Sequence, residues 1–389
     1  MHTGRIIFAQ LMDWLPRYEF TKCVRRHRGH YRVRTFSCLD QFLCMAFAQL
    51  TFRESLRDIE TCLRALQPKL YHAGLRGPVA RSTLADANET RDWRIYADFA
   101  QVLIHRARTL YVDEPLGVEL AETAYAFDAT TIDLCLALFP WARFRRHKGA
   151  IKLHTLLDLR GSIPCFVHIT EGKTSEVTVL DALVVEPGAF YVMDRGYIDF
   201  ARLYALTQRL AFFVVRAKRD LDYRRCASHP VDRTTGLRSD QSIRLRGPKS
   251  AHRYPAPLRR ITYRDAETDT RFVFLTNHCT LPALTIADLY HRRWRVELFF
   301  KWLKQHLRLK GFYGLSENAV KTQVWIALSV YVLVAIIKKE LKLDRSLGEI
   351  LQILSLTLFE KEELSRVLTA SDGQNDPGEC GNQLNLFDP

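Results

Sequence analysis

The chain has 389 residues, 47% of them hydrophobic and 26% charged, which excludes a disordered or low-complexity polypeptide and supplies enough apolar mass for a real core. Its 57 Lys and Arg against 43 Asp and Glu leave a formal net charge of +14, which favours an acidic partner, nucleic acid first and an anionic membrane surface second. The nine cysteines are odd in number and form no CxxC, so neither a disulfide framework nor a zinc site is expected and the compartment is read as reducing.

The first stretch, MHTGRIIFAQLMDWLPRYEF, is too polar for a secretory signal. Helical periodicity follows over 39–50 and 53–66. After a break at Gly74, Gly77 and Pro78, Ser82 is expected to cap one long helix over 82–107. Residues 1–115 thus read as a helical region, in which a helix-turn-helix and a plain helical hairpin both remain open. Eight Lys/Arg against three acids in residues 1–40 suit DNA binding.

From about 119 the texture turns to short β-like runs. A strand is expected over 123–134, then a hairpin of 151–161 and 163–172 turning at Arg160-Gly161-Ser162. A short helix over 176–185, a strand at 189–197, a helix over 199–210 and a strand at 211–218 complete an alternation that argues for α/β packing. Residues 219–270 read as a mostly β insertion, and 271–277 as a strand. A long helix over 285–310 is followed by a buried helix over 322–338, whose apolar run of 14 residues falls short of the ~20 that span a bilayer. From 371 on there are four acids and no Lys or Arg, so a disordered tail is expected. The whole reads as a soluble, intracellular protein.

Asp128 and Asp194 each follow an apolar run, which sets an acid near the end of a strand, where side chains can face solvent on a rigid backbone. Asp133 and Asp158 are rivals for the first of these positions. The helix over 285–310 says more. At ~100° per residue, Tyr290, Arg293, Glu297, Lys301 and Lys304 share a sector of roughly 80°. Val296, Phe299, Phe300, Leu303 and Leu307 fill the adjoining sector. From 290 to 310 there are seven Lys/Arg and one acid, a surplus of six cations that cannot be paired locally. A lone Glu in such a stripe suits a metal-binding carboxylate beside phosphate-binding cations. A second basic cluster, Arg143, Arg145, Arg146, Lys148 and Lys152, with Trp141, Phe144 and His147 interleaved, reads either as a DNA-backbone contact beside the acids or as a solvated loop.

The spacing Y-x2-R-x3-E-x6-K at Tyr290, Arg293, Glu297 and Lys304 resembles the signature of the DDE transposases of bacterial insertion sequences, in the group named after insertion sequence four. Asp128 in AFDATTIDL and Asp194 in YVMDRGY agree with that group, and the likeness covers roughly residues 10–360. Ala129 departs from the group's DSTT, and the prelude His291-Arg292-Arg293 is unusually basic; neither removes an expected ligand.

The resemblance implies an α/β fold with an RNase H-like mixed sheet flanked by helices. It implies a division into a helical DNA-binding region (1–115), a catalytic core in two parts (116–218 and 271–345) around a β-rich insertion (219–270), a C-terminal helical segment (346–370) and the tail (371–389). Asp128, Asp194 and Glu297 become the catalytic triad holding two Mg²⁺ ions, with Mn²⁺ a plausible substitute. Tyr290, Arg293 and Lys304 become DNA contacts near the scissile phosphate, and Lys301, Arg143, Arg145, Arg146 and Lys148 join them as candidates. The expected chemistry is water attack at the element end followed by attack of the freed 3′-OH on target DNA. The expected partners are double-stranded DNA and a second copy of the chain, at the nucleoid of a bacterial cytoplasm. Some relatives place a flipped base on an aromatic residue of the insertion, a role that Tyr223, Tyr254 and Tyr263 do not settle. Three rival readings stay open: an RNase H-like endonuclease without strand transfer, an inactive DNA-binding regulator, and a basic hydrolase unrelated to DNA.

Overall fold

A computed structural model describes residues 4–145, 148–306 and 311–369. Arg146, Leu307 and the acidic tail fall outside the described residues. The chain opens with helices α1 (Ile7–Asp13), α2 (Arg17–Arg26), α3 (Cys38–Leu50), α4 (Leu56–Ala65), α5 (Gln67–Leu70), α6 (Arg81–Thr90) and α7 (Arg94–Leu110). Ser37 starts α3 with a reciprocal cap. Its hydroxyl accepts the Asp40 N–H at 3.1 Å, and the Asp40 carboxylate accepts the Ser37 N–H at 2.7 Å.

The single helix expected from Ser82 is two. α6 begins at Arg81 behind Ala80, with no side-chain cap. The break before α7 is held by Asn318, from far along the chain. Its Nδ2 donates to the carbonyls of Asn88 (2.8 Å) and Arg91 (2.7 Å), and its Oδ1 accepts the Trp93 N–H at 3.2 Å. A distant amide thus satisfies the backbone groups that a helix end leaves without partners.

The sheet follows: β1 (Ala124–Leu134), β2 (Arg143–Arg145), β3 (Lys148–Asp158), β4 (Ile163–Glu171), β5 (Phe190–Met193) and, after α8 (Phe200–Gln208), β6 (Phe212–Arg216). The expected helix over 176–185 is a 3₁₀ turn at Glu176–Ala182. The β3–β4 hairpin turns as expected, with Gly161 and Ser162 both at positive φ. β7 (Tyr223–His229), β8 (Leu237–Leu245), α9 (Pro248–Arg253), β9 (Leu258–Arg264) and β10 (Arg271–Thr276) complete it. The strand order is β2-β3-β1-β5-β6-β10-β9-β8-β7, with β4 also on β3. β1 pairs antiparallel with β3 and parallel with β5, and β5 pairs parallel with β6. The result is one large mixed sheet in an α/β protein. The insertion does not leave this sheet: β10 pairs with β9, β9 with β8 and β8 with β7, so the core sheet simply continues.

The long helix expected over 285–310 is interrupted: α10 (Ala283–Arg292) and α11 (Trp294–His306) meet at Arg293. α12 (Glu317–Glu340), α13 (Leu347–Thr357) and α14 (Leu364–Thr369) end the described chain. α12 is long and apolar enough to cross a membrane, but it is buried in the protein against α3, α6 and α7. A helix that is apolar all round needs such cover on every side. One core runs from Ile6 to Leu368 and joins the N-terminal helices, α12 and one face of the sheet. The other face is covered around Tyr125, Phe127, Tyr191, Tyr197, Phe213 and Tyr254. The cysteines of the described residues are all unpaired.

Candidate active site

Strand register brings the first two acids together. The last parallel pairs across β1, β5 and β6 are Phe127 with Met193 and Met193 with Val215. One residue further on, three neighbouring strands carry Asp128, Asp194 and Arg216, with strands spaced ~4.8 Å apart. Asp194 follows β5 as expected. Asp128 does not follow its strand: β1 continues to Leu134 along β3, where Asp128 lies opposite Thr155. Only its pairing with β5 has ended, so Asp128 stands at the edge of the β1–β5 ladder within a long strand.

The third acid arrives on the helix pair. At Arg293 the backbone bonding tightens, with Arg293 N–H donating to the Tyr290 carbonyl and Val296 N–H to the Arg293 carbonyl. Both residues stay helical enough to keep the expected stripe on one side, while Val296, Phe299, Phe300 and Leu303 are buried on the other. The Arg293 guanidinium spans two acids: Nη1 donates to Asp128 Oδ2 at 2.8 Å and Nη2 to Glu297 Oε1 at 2.7 Å. The Tyr290 hydroxyl donates to Asp194 Oδ1 at 3.1 Å. Its ring is held by Phe274, at 4.8 Å between centroids, and by Phe272 at 5.9 Å. One arginine and one tyrosine, three residues apart, therefore link all three carboxylates.

Burial pushes the Asp128 carboxyl up to about 6; the Ala129 N–H and Arg293 pull it down, and Glu297 and Asp194 push it further up. Burial likewise raises the Tyr290 phenol to about 12, so it remains a donor at neutral pH.

A cleft of about 490 Å³ opens onto Asp128, Thr130, Glu297, Lys301, Lys304 and Gln305. Two of the expected cations therefore face the same space as two of the acids. Of the second basic cluster, Arg143, Arg145 and Lys148 do not. Arg143 and Arg145 form β2 and Lys148 opens β3, where Gly149 pairs with Leu134. Leu134 lies six residues along β1 from Asp128, or ~20 Å at strand rise. The expected loop beside the acids is instead a strand edge at some distance. Asp133 faces outward opposite Ala150, and Asp158 is bound to Arg108 at 3.3 Å, so neither rival joins the cluster. Of the insertion tyrosines, Tyr254 is buried beside Tyr204, Tyr223 lies under Arg260, and Tyr263 stands edge-on to His291 of α10.

Sequence reasoning missed Arg216, whose guanidinium lies over the Phe272 ring at 5.0 Å and close enough to Tyr290 to act on its phenol. The signal that marked the acids, an apolar run ending in a polar residue, is present in AFFVVRAK and applies to it equally. It also missed Tyr197, buried against Phe127 with its hydroxyl unpartnered and within the field of Asp128 and Asp194.

The donors suit a hard cation in kind: carboxylate oxygens on two strands and a helix, partly open to solvent. As they stand, no three His, Cys, Asp or Glu side chains among the described residues close on a single point. The space between Asp128 and Glu297 is taken by a guanidinium.

Residues 119–333 match the family described as "Transposase DDE domain", and residues 3–76 match a domain of unknown function. A protein of Sinorhizobium fredii named as transposase y4zB is 29% identical over 288 residues, covering 73% of this chain and 79% of its own length. One of Geobacillus stearothermophilus, named as the transposase for insertion sequence element IS5377, is 31% identical over 229 residues, 58% of this chain and 57% of its own. One of Synechocystis, named as the transposase for insertion sequence element IS4SA, is 22% identical over 332 residues, 82% of this chain and 88% of its own.

Proposed function

The chain belongs to the transposase DDE domain family, the DDE transposases of insertion sequences, and from that premise we propose that it cleaves the ends of such an element and joins the freed 3′-OH to target DNA. The observation that carries this reading is the meeting of Asp128, Asp194 and Glu297 around Tyr290 and Arg293. The middle of one strand, the end of its neighbour and a helix converge there from positions up to 169 residues apart (128 to 297). The antiparallel strands β4, β3 and β1, continued by the parallel β5 and β6, support an RNase H-like core.

The family is typically metal-dependent, and Asp128, Asp194 and Glu297 would hold two Mg²⁺, or Mn²⁺, to activate the nucleophile and stabilise the leaving oxygen of an in-line displacement. The side chains around them prepare the site. Tyr290 fixes the Asp194 carboxylate through its hydroxyl, and the aromatic wall of Phe272 and Phe274 fixes Tyr290 in turn. Arg293 keeps Asp128 and Glu297 in place. Lys301 and Lys304 give the cleft a positive lining that draws a phosphodiester toward the acids, and Arg293 offers a planar fork for one phosphate. The same residues serve both steps, because only the attacking oxygen changes.

The N-terminal region supplies the wider grip. Between α2 and α3, the stretch RRHRGHYRVR (25–34) carries five arginines and no acid, with Tyr31 well exposed. Gly29 packs so tightly that a Cβ there would meet Ile95, Val24 and Cys38, which fixes this basic turn to the core. Arg143, Arg145 and Lys148 extend the positive surface for flanking or target DNA. A pair of copies on paired element ends, in the cytoplasm at the nucleoid, is the assembly this reading implies.

The test is cleavage of a duplex carrying the flanking element end, in Mg²⁺, by the wild type and by Glu297→Gln. Cutting at the element boundary by the wild type alone is the expected result. A second reaction, supplying ends with a free 3′-OH and a target plasmid, then separates a transposase from a nuclease. Cutting by both proteins would move the site elsewhere; end binding without cutting by either would indicate a regulator.

A further inference from the structure

We infer that Arg293 is the resident counter-ion of the carboxylate set and exchanges it for DNA phosphate, so that DNA binding and metal binding reinforce each other. The inference rests on the metal reading proposed above and goes beyond it, since it concerns the site before either ligand arrives.

Three observations carry it. First, the guanidinium stands between the two acids that would share a cation, at 2.8 Å from Asp128 and 2.7 Å from Glu297, and is only 13% exposed. The second Asp128 oxygen already accepts the Ala129 N–H at 2.8 Å. A divalent ion seeking Asp128 and Glu297 therefore competes with a charge-assisted contact that is sheltered from solvent. Second, Arg293 is not satisfied where it is: its buried Nε has no hydrogen-bond partner. An unmet donor in a charged group is costly, and a phosphate offers several acceptor oxygens. Third, Lys301 and Lys304 line the same cleft as Asp128 and Glu297, so a phosphate they attract arrives beside the acids that Arg293 holds.

With Arg293 on the acids, Asp128 and Glu297 are held close together although no metal bridges them. A phosphate arriving in the cleft beside Lys301 and Lys304 gives Arg293 a second anion. As Arg293 leaves, oxygens of Asp128 and Glu297 become free for the metal. By linkage, whatever DNA does for metal affinity, metal must do for DNA affinity. The device would keep divalent ions from settling firmly in a protein that has no DNA to cut.

The test uses the full chain and Mn²⁺, followed by the electron paramagnetic resonance of the free ion, with and without an element-end duplex. The Asp128→Asn protein with the same duplex serves as the blank for ions held by DNA. Without DNA, Arg293→Met is expected to bind Mn²⁺ about tenfold more tightly than the wild type. The duplex is expected to tighten wild-type binding by a factor about ten times larger than it tightens the variant's. Circular dichroism and the melting temperature check that the variant is folded, and Arg293→Gln replaces it if it is not. Equal or weaker Mn²⁺ binding by a folded variant without DNA would overturn the inference and leave Arg293 as a structural tether. Wild-type binding indistinguishable from the Asp128→Asn blank under both conditions would instead overturn the metal reading itself, and the inference with it.

Discussion

Replacing Tyr290 by Phe removes one oxygen atom and little else. The ring is buried between Phe272 and Phe274 and makes a cation–π contact with Arg293, and all of these survive the change. What is lost is the hydroxyl's hydrogen bond to Asp194 Oδ1, at 3.1 Å. A hydrogen bond to a charged group contributes about 1.5–3 kcal/mol. If that bond orients Asp194 for its role in the reacting complex, its loss appears in the barrier, as roughly a 10- to 150-fold slower single-turnover cleavage. Stability should move far less, because the carboxylate is half-exposed and water replaces the lost donor. Cleavage of an element-end duplex at saturating protein, with the melting temperature as control, measures both. An unchanged cleavage rate in a folded Tyr290→Phe protein would refute the argument that Tyr290 positions Asp194.

Four further outcomes are expected. Asp128→Asn and Glu297→Gln should abolish cleavage while leaving end binding, measured by fluorescence anisotropy, within a fewfold of wild type. Lys304→Ala should weaken DNA binding and lower the salt slope of log K by about 1, one phosphate contact, with Mn²⁺ affinity unchanged. Asp240→Ala strips the partner from Arg259, which is 7% exposed and also donates to the Leu281 carbonyl ahead of α10; a buried cation left unpaired costs about 3–5 kcal/mol, read as a fall of several degrees in melting temperature. Burial, with His168 and Lys152 nearby, pushes His154 down to about 4 from 6.5, so the folded chain binds fewer protons than the unfolded one between those values. Its contribution, about 3 kcal/mol, is present above pH 6.5 and lost as pH falls toward 4, and His154→Gln should flatten the melting temperature over that window.

Much of the architecture could be read from local patterns, because local patterns have local causes. The strands at β1, β3, β4, β5 and β6 and the helices α3, α8 and α12 follow from period-2 and period-3.6 apolar spacing, and the β3–β4 turn follows from Arg160-Gly161-Ser162. The helix signature was legible for the same reason. Tyr290, Arg293 and Glu297 lie within two turns, so spacing alone puts them on one side of the helix, whatever surrounds it.

The misreadings share the opposite cause. The split between α6 and α7 is held by Asn318, more than 200 residues away, together with Asp92, whose carboxylate accepts the Arg94 N–H at 2.9 Å. The β character of the insertion was legible, but not its place: β9 pairs with β10 and extends the core sheet. Arg143 and Lys148 looked close to Asp128 by residue count, but a strand rises ~3.3 Å per residue and carries them away along its length. Arg216 ends an apolar run as the acids do, and the register of β6 on β5 sets it beside Asp194.

What the sequence determined by itself is the chemistry available: three carboxylates, a basic helix stripe and their order along the chain. Which of these groups meet is set by the packing of distant segments. Parallel pairing of β1 with β5 sets Asp128 beside Asp194, and packing of α10 and α11 on the sheet brings Glu297 to them with Arg293 in between. Such meetings are long-range, since they depend on the pairing register and packing of segments far apart in the chain, and no single segment encodes them.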